Sequence, residues 1–294
     1  MVIYVGGGSG SGKSAFAESL VVNSGFTKRT YIATMRVWDA EGAKRVERHR
    51  ELRRGKGFET AECPTGLGSL GLSGGAVLLE DLSNLFMNEF FGERGALERV
   101  KADLKTLSAG CGLLAIVGND IFAADQRLEG EMEDFMEQLG ELNAFAAAMA
   151  DERWEVASGI PARRGEKLPP PPKGLKLVIG GFSQGKTAFA AGRYNCGRGV
   201  TDSYEGAARA DVFTGLENWL RGEEDPLPAL EKLMERNPNL TIVCCEVGCG
   251  IVPVDGEERA WRERVGRCCC WLAERSAEVC RVWCGIPTIL KGEN

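Results

Sequence analysis

The chain has 294 residues, 44% of them hydrophobic and 27% charged, with a formal net charge of −6. That length allows two globular domains, and the acidic balance argues against a dedicated nucleic-acid binder. No apolar run reaches the roughly 18 residues of a membrane span, and residues 1–6 read as a buried strand, not a secretory leader, so a cytoplasmic protein is expected.

In chain order the strand Val2–Val5 leads into Gly7-Gly8-Ser9-Gly10-Ser11-Gly12-Lys13-Ser14, and a helix starts at Ala15-Phe16-Ala17. Gly-x-x-x-x-Gly-Lys-Ser between a strand and a helix is a phosphate-binding loop. Its glycines let the backbone wrap closely, and successive N–H groups point at phosphate oxygens. Lys13 can reach the β- and γ-phosphates, and the Ser14 hydroxyl can ligate Mg²⁺. Tyr31–Ala33 is the next buried strand. A helix over Ala40–Arg54, capped by Asp39, follows and carries His49, the one histidine of the chain. Arg45, His49 and Arg53 are four apart and share a face. Such a basic stripe can neutralise a triphosphate and favours a neutral, nucleophilic imidazole; the same pattern also fits a solvated basic helix.

The strand Ala76–Leu79 runs into Glu80 and Asp81. An acid at the carboxyl end of a strand beside a phosphate loop can hold Mg²⁺ or contact the nucleotide, or simply end in solvent. Helix Leu97–Leu107, strand Leu113–Val117, helix Arg127–Met149 and strand Trp154–Ala157 follow, closing on Gly159-Ile160-Pro161. Residues 163–174, with Pro169–Pro172 in a row, read as a semi-rigid spacer.

Beyond the spacer the pattern returns. Strand Leu175–Ile179 leads into Gly180-Gly181-Phe182-Ser183-Gln184-Gly185-Lys186-Thr187, then Ala188-Phe189-Ala190, strands Leu240–Cys244 and Val279–Trp283, and Gly285-Ile286-Pro287. Between these landmarks the first copy spans 152 positions (7 to 159) and the second 105 (180 to 285), so the second has lost a piece. Strands alternating with helices imply crossovers and a mainly parallel sheet. The expected fold class is α/β: two tandem P-loop NTPase-type domains, 1–162 and 175–294. In the second loop Gly180, Gly185, Lys186 and Thr187 match the motif, either as a working site or as an inherited element without turnover. Nine of the eleven cysteines lie in the second copy. Their spacings miss those of a metal site and no histidine is near, so they read as small buried hydrophobes.

Together these pieces resemble the bifunctional adenosylcobinamide kinase/adenosylcobinamide-phosphate guanylyltransferase family of cobalamin assembly. In the first copy the resemblance rests on residues 6–14, Tyr31-Ile32-Ala33-Thr34, the helix with Arg48-His49-Arg50, Thr60-Ala61-Glu62-Cys63, and Leu78-Leu79-Glu80 followed by Asn84 and Asn88. In the second it rests on Glu246-Val247-Gly248-Cys249-Gly250-Ile251-Val252-Pro253, running on through Val265-Gly266-Arg267 to Gly285-Ile286. The resemblance implies that His49 takes GMP from GTP as a covalent phosphoramidate, which adenosylcobinamide phosphate then attacks, and that a kinase step phosphorylates adenosylcobinamide with GTP or ATP. It places GTP contacts on Gly7–Ser14, on Ala33, Thr34 and Met35, on Arg50, Glu51, Leu52 and Arg53, on Glu62 and on Glu80, with Mg²⁺ at Ser14. Residues 118–122 stand where the family's Glu-Val-Gly-x-Gly stretch belongs, while the second copy keeps that stretch but has no histidine and no clear Leu-Leu-Glu strand, Asp211–Asn218 being at best a remnant of it. Such complementary loss suggests an intramolecular pseudo-dimer or a homo-oligomer. The rivals are a P-loop small-molecule kinase without a covalent intermediate, and a non-catalytic nucleotide-binding regulatory protein.

Overall fold

The computed structural model describes residues 1–36, 47, 51, 54–92, 95–121, 130–248 and 253–292. The chain forms two compact units, one of Met1–Ile121 with Gly130–Arg164 and one from Gly165 onward. The first contains β1 (Val2–Gly7), α1 (Lys13–Val22), β2 (Arg29–Ala33), β3 (Glu59–Glu62), β4 (Ala76–Glu80), α2 (Leu82–Phe90), α3 (Ala96–Gly110), β5 (Leu113–Asn119), α4 (Glu131–Met149), β6 (Glu152–Ala157) and β7 (Ile160–Arg164). Its sheet has the order β3-β2-β4-β5-β1-β6-β7. Every pairing is parallel except the closing β6–β7 hairpin.

Central strands β1, β4 and β5 are near-continuous apolar runs, as a parallel sheet covered on both faces requires; all six residues of β1 are buried. On one face α1 lays Ala17 and Val21 against Ile3, Val5 and Val117. Elsewhere α2 and α4 meet through stacked Phe86 and Phe135, ring centroids 5.8 Å apart. Burying a side chain of this size contributes about 1.5–3 kcal/mol.

The second unit contains β8 (Lys176–Gly180), α5 (Lys186–Tyr194), β9 (Val200–Thr201), α6 (Tyr204–Ala207), β10 (Val212–Phe213), α7 (Leu216–Trp219), α8 (Leu227–Arg236), β11 (Thr241–Cys245), α9 (Gly256–Arg275), β12 (Glu278–Trp283) and β13 (Ile286–Lys291). Its sheet order is β13-β12-β8-β11-β10-β9, parallel again save for the β12–β13 hairpin. This is the order of the first sheet without a partner for β3. The two units are α/β folds of one topology, each with a phosphate loop after its first strand. The expected fold class is borne out.

The missing piece has a location. Between β2 and β4 the first unit spends 42 residues (34–75), whereas the second joins β9 to β10 with ten (202–211). The connections from β5 to β6 and from β11 to β12 are both 32 residues long (120–151 and 246–277).

Two expectations need correction. Gly-Ile-Pro does not end a strand: Ser158 and Gly159 (φ 51° and 81°), like Cys284 and Gly285 (49° and 74°), make the hairpin turn, and Ile160 and Ile286 open the edge strand. Proline is tolerated there because an edge strand leaves one side of its backbone unpaired. Arg163 and Arg164, assigned from sequence to the spacer, belong to β7, where Arg164 Nε donates to Glu155 at 2.8 Å. Most of the helix expected over 40–54 lies outside the described residues. Among the described residues no helix is long and apolar enough to cross a membrane.

Candidate functional site

The first loop is held from behind. A Cβ on Gly7 would stand 2.4 Å from Val156 O, so only glycine allows β1 to pass β6 this closely. Gly10 and Gly12 adopt φ 71° and 91°, the left-handed region that other residues avoid. The hairpin turn braces the loop through Gly159 N–H, which donates to Ser11 O at 2.8 Å, and the end of β5 does so through Asp120 N–H, which donates to Gly7 O at 3.0 Å. Residues 7–11, 120 and 155–158 line a cavity of about 300 Å³ over this loop.

Lys13, at the start of α1, is 6% exposed, and its Nζ donates to Gly8 O at 3.1 Å. Burial holds its pKa below the ordinary lysine value, against the upward pull of Glu80, Asp81 and Asp120. A desolvated ammonium inside a ring of loop carbonyls and acids is poised for a phosphate oxygen.

The register of the sheet gathers the other expected residues. Ala33 pairs with Glu62 on one side and with Glu80 on the other, so the carboxyl ends of β3, β2 and β4 form one row beside the loop. Ser14 Oγ donates to Glu80 Oε1 at 2.6 Å. Burial and the neighbouring Asp81 raise the Glu80 carboxyl to about 8, although Ser14 and Lys13 pull it down. Its other oxygen, Oε2, is buried and has no partner. A hydroxyl and a carboxylate with an unused buried oxygen form a donor set that fits Mg²⁺, a hard cation that takes a few protein oxygens and keeps its waters.

The two neighbouring acids have separate work, Glu80 as the last residue of β4 and Asp81 as the N-cap of α2. Glu80 meets Ser14, whereas Asp81 caps α2: its Oδ1 accepts Asn84 N–H at 2.7 Å and its Oδ2 accepts from Asn84 Nδ2 and Asn119 Nδ2, both at 2.9 Å. Thr34 ties β2 to the same corner, accepting Asp81 N–H at 2.8 Å and donating to Glu80 or Asp81 carbonyls at 3.0 and 2.9 Å. Asn88 donates to Thr34 O and Pro64 O, both at 2.9 Å, which fixes the loops after β2 and β3. Met35 is half-buried next to Thr34, and Glu51 is exposed. His49, Arg50, Leu52 and Arg53 lie outside the described residues.

Two contributors were missed. Asp120 acts on Lys13 and braces the loop; Asn119 holds Asp81. The signal was an acid at the end of the strand beside β1, obscured by reading residues 118–122 as a departure from the family stretch. Both Asp120 and Glu246 donate their N–H to the first glycine of their own loop, at 3.0 and 2.9 Å. The acid is therefore retained in both units, and the supposed loss in the first is smaller than expected. In the second unit Val247 is buried in that unit's own core.

Comparison with known proteins adds three findings. The model of the CobU family, described as cobinamide kinase / cobinamide phosphate guanyltransferase, matches residues 3–163 and 217–290. Two curated relatives, both named bifunctional adenosylcobalamin biosynthesis protein CobU, come from Salmonella typhimurium and Escherichia coli. Each is 32% identical over 182 residues, an alignment covering 54% of this chain and 97% of the relative. Among solved structures, the flagellar accessory protein FlaH from Methanocaldococcus jannaschii is similar at 13% identity with a TM-score of 0.31, over 55% of this chain and 75% of that one.

Proposed function

The chain belongs to the cobinamide kinase / cobinamide phosphate guanyltransferase family, and on that premise we propose that its first unit transfers GMP from GTP to adenosylcobinamide phosphate through His49, and also phosphorylates adenosylcobinamide. The observation that carries this reading is the convergence at one sheet edge of the loop Gly7–Ser14 with Ala33, Glu62 and Glu80. These are the positions at which the family resemblance puts GTP.

The chemistry divides into two displacements at the α-phosphorus. An imidazole nitrogen of His49 attacks, a P–N bond forms, the bond to the β-phosphate oxygen breaks, and pyrophosphate leaves. A phosphate oxygen of adenosylcobinamide phosphate then attacks, the P–N bond breaks, and the imidazole is regenerated with adenosylcobinamide-GDP as product. Splitting one difficult displacement in this way is the advantage of a nucleophilic side chain. Loop N–H groups and Lys13 hold the departing pyrophosphate and take up its charge. Ser14 and Glu80 would hold Mg²⁺, which would supply further neutralisation of the phosphate oxygens. The buried corner of Thr34, Asp81 and Asn88 keeps the strand ends in register, so that the nucleotide is oriented before reaction.

The test is labelling with α-³²P-GTP. Wild-type protein takes up label that is released by acid, as a phosphorus–nitrogen bond is, and His49→Ala takes up none while its circular dichroism is retained. Equal labelling of the variant refutes the covalent route.

A further inference from the structure

The second unit repeats the backbone of the first loop contact by contact. Lys186 Nζ donates to Gly181 O at 2.6 Å, as Lys13 does to Gly8 O. Gly285 N–H donates to Gln184 O at 3.0 Å, as Gly159 does to Ser11 O. A Cβ on Gly180 would stand 2.3 Å from Val282 O, the counterpart of the clash at Gly7. Ser183 takes up φ 51° where the first loop has Gly10, so the loop keeps its shape even where its glycine is gone.

What changes is the charge. Ser14 bonds Glu80, but the matching Thr187 bonds Thr214, Oγ1 to Oγ1 at 2.9 Å. Gly215 precedes α7 where Asp81 precedes α2. In the register of β12 against β8, Arg281 occupies the place that Glu155 has beside β1. The retained acid, Glu246, is paired with Arg281 Nε at 3.0 Å.

We propose that the second loop is a binding site for a di- or triphosphate chain that needs no divalent cation. In the first unit Glu80, Asp81 and Asp120 lie close enough to Lys13 to act on its charge, and once ionised these acids repel an incoming polyphosphate until a cation stands between them. Lys186 is 7% exposed, and among the described residues it takes part in no ion pair. Cys245 beside it does not supply a counter-charge, since burial pushes that thiol up to about 12. Glu217, the next acid, has its carboxylate engaged by Cys245 N–H at 3.0 Å. The loop also holds a buried donor without an acceptor, Gln184 Nε2. A nearly enclosed ammonium that is paired with no carboxylate among the described residues, inside a cradle of loop N–H groups, is complementary to an oxyanion. The hydroxyls of Thr187 and Thr214 can donate to it directly. Nothing in this binding involves His49, so labelling and binding fail independently.

Calorimetric titration of the full chain with GTP, GDP and inorganic pyrophosphate, first in EDTA and then in Mg²⁺, tests the site. In EDTA wild-type protein takes up one equivalent of at least one probe. Lys186→Ala weakens that binding roughly 10- to 100-fold, the range for a lost charged hydrogen bond, while Lys13→Ala retains it. Mg²⁺ adds a second equivalent, which Lys13→Ala loses. Thr214→Glu, which restores the acid, makes the EDTA binding at least about tenfold weaker and Mg²⁺ recovers it. Pyrophosphate binding as tightly as GTP assigns recognition to the phosphates alone; tighter GTP adds a contact to the nucleoside, and both support the site. Absence of binding by any probe in EDTA overturns the proposal, as does EDTA binding that survives Lys186→Ala.

Discussion

The two units wind their sheets in the same order and bend the same loop around a buried lysine, yet three acids act on the first lysine, whereas the second has the thiol of Cys245 beside it and takes part in no ion pair among the described residues. The scaffold is conserved by covalent and steric demands: glycine where backbone passes backbone, N–H groups aimed into the loop, a hairpin turn bonded to its rear. None of these demands concerns the residue at the end of β4 or β10. Exchanging Glu80 for Thr214 therefore leaves the fold intact and alters the chemistry. The shortened β9–β10 connection points the same way, because the 42 residues that it lacks in part are those that carry Glu62 and His49 in the first unit.

The largest effect that separates the units is expected at the loop lysines. Lys13→Ala should lower guanylylation by about 10²–10³-fold, as removal of one positioned donor to a developing charge does. Lys186→Ala should cost under about tenfold, since its loop lies in the unit without the histidine. Steady-state formation of adenosylcobinamide-GDP measures both. Equal losses would make the second unit a reaction centre in its own right and end the contrast drawn between them.

A smaller effect is expected at Asp81. Its carboxylate caps α2 and accepts from Asn84 and Asn119, while Gly215 begins α7 without any side-chain bond. Asp81→Ala removes a cap and leaves the Asn119 amide short of an acceptor, so unfolding in urea should show a loss of about 1–3 kcal/mol. The mirror change, Gly215→Ala, acts only through backbone strain at φ 74°, which costs roughly 1–2 kcal/mol. If Asp81→Ala leaves stability unchanged and abolishes nucleotide binding instead, Asp81 belongs to the site and not to the frame.

How much of this was legible follows from what each feature demands of sequence. Both loops were, because glycine and lysine at fixed spacing are required by geometry. The central strands were too, since burial on both faces leaves uninterrupted apolar runs. The edge strands β7 and β13 were not: they are short, carry proline, and expose residues such as Ile160, which is 71% accessible. Nor were β9 and β10, two residues each, too short to show any period. The Ser14–Glu80 pair was half legible. Sequence placed two acids where β4 ends, but which of them meets Ser14 depends on where the strand stops and α2 begins. Thr214 was half legible as the counterpart of Glu80: Asp211–Asn218 reads as a remnant of the Leu-Leu-Glu strand, with Leu216 and Asn218 in the places of Leu82 and Asn84, but both acids are gone from it.

The smallest expected effect concerns the cysteines, whose concentration in the second unit is the most visible difference of composition. The buried ones, Cys244, Cys268, Cys280 and Cys284, read as core filling. Where β1 carries Tyr4, the neighbouring strand carries Gly118, and a Cβ there would stand 2.3 Å from the tyrosine oxygen. At the equivalent positions the second unit has the smaller Leu177 with the larger Cys244, both buried. Thiols used in this way are inert, because only the thiolate reacts. Burial raises Cys268 and Cys280 to about 11 and Cys245 to about 12, and Cys244, hydrogen-bonded to Cys269, lies well above its ordinary value. At pH 8 a thiol of pKa about 11 is about 0.1% thiolate, and enclosure restricts reagent further. Cys196 and Cys270 are exposed. Brief treatment of the native protein with iodoacetamide at pH 8, read by peptide mass spectrometry, should therefore modify Cys196 and Cys270 first and spare Cys244, Cys268 and Cys280, and urea should release all three. Raising the pH toward 11 before unfolding should raise the yield at Cys268 and Cys280 ahead of Cys245. Rapid native labelling of Cys244 or Cys280 would mean that the second core opens readily, and the size exchange between Tyr4–Gly118 and Leu177–Cys244 would then no longer account for where the cysteines sit.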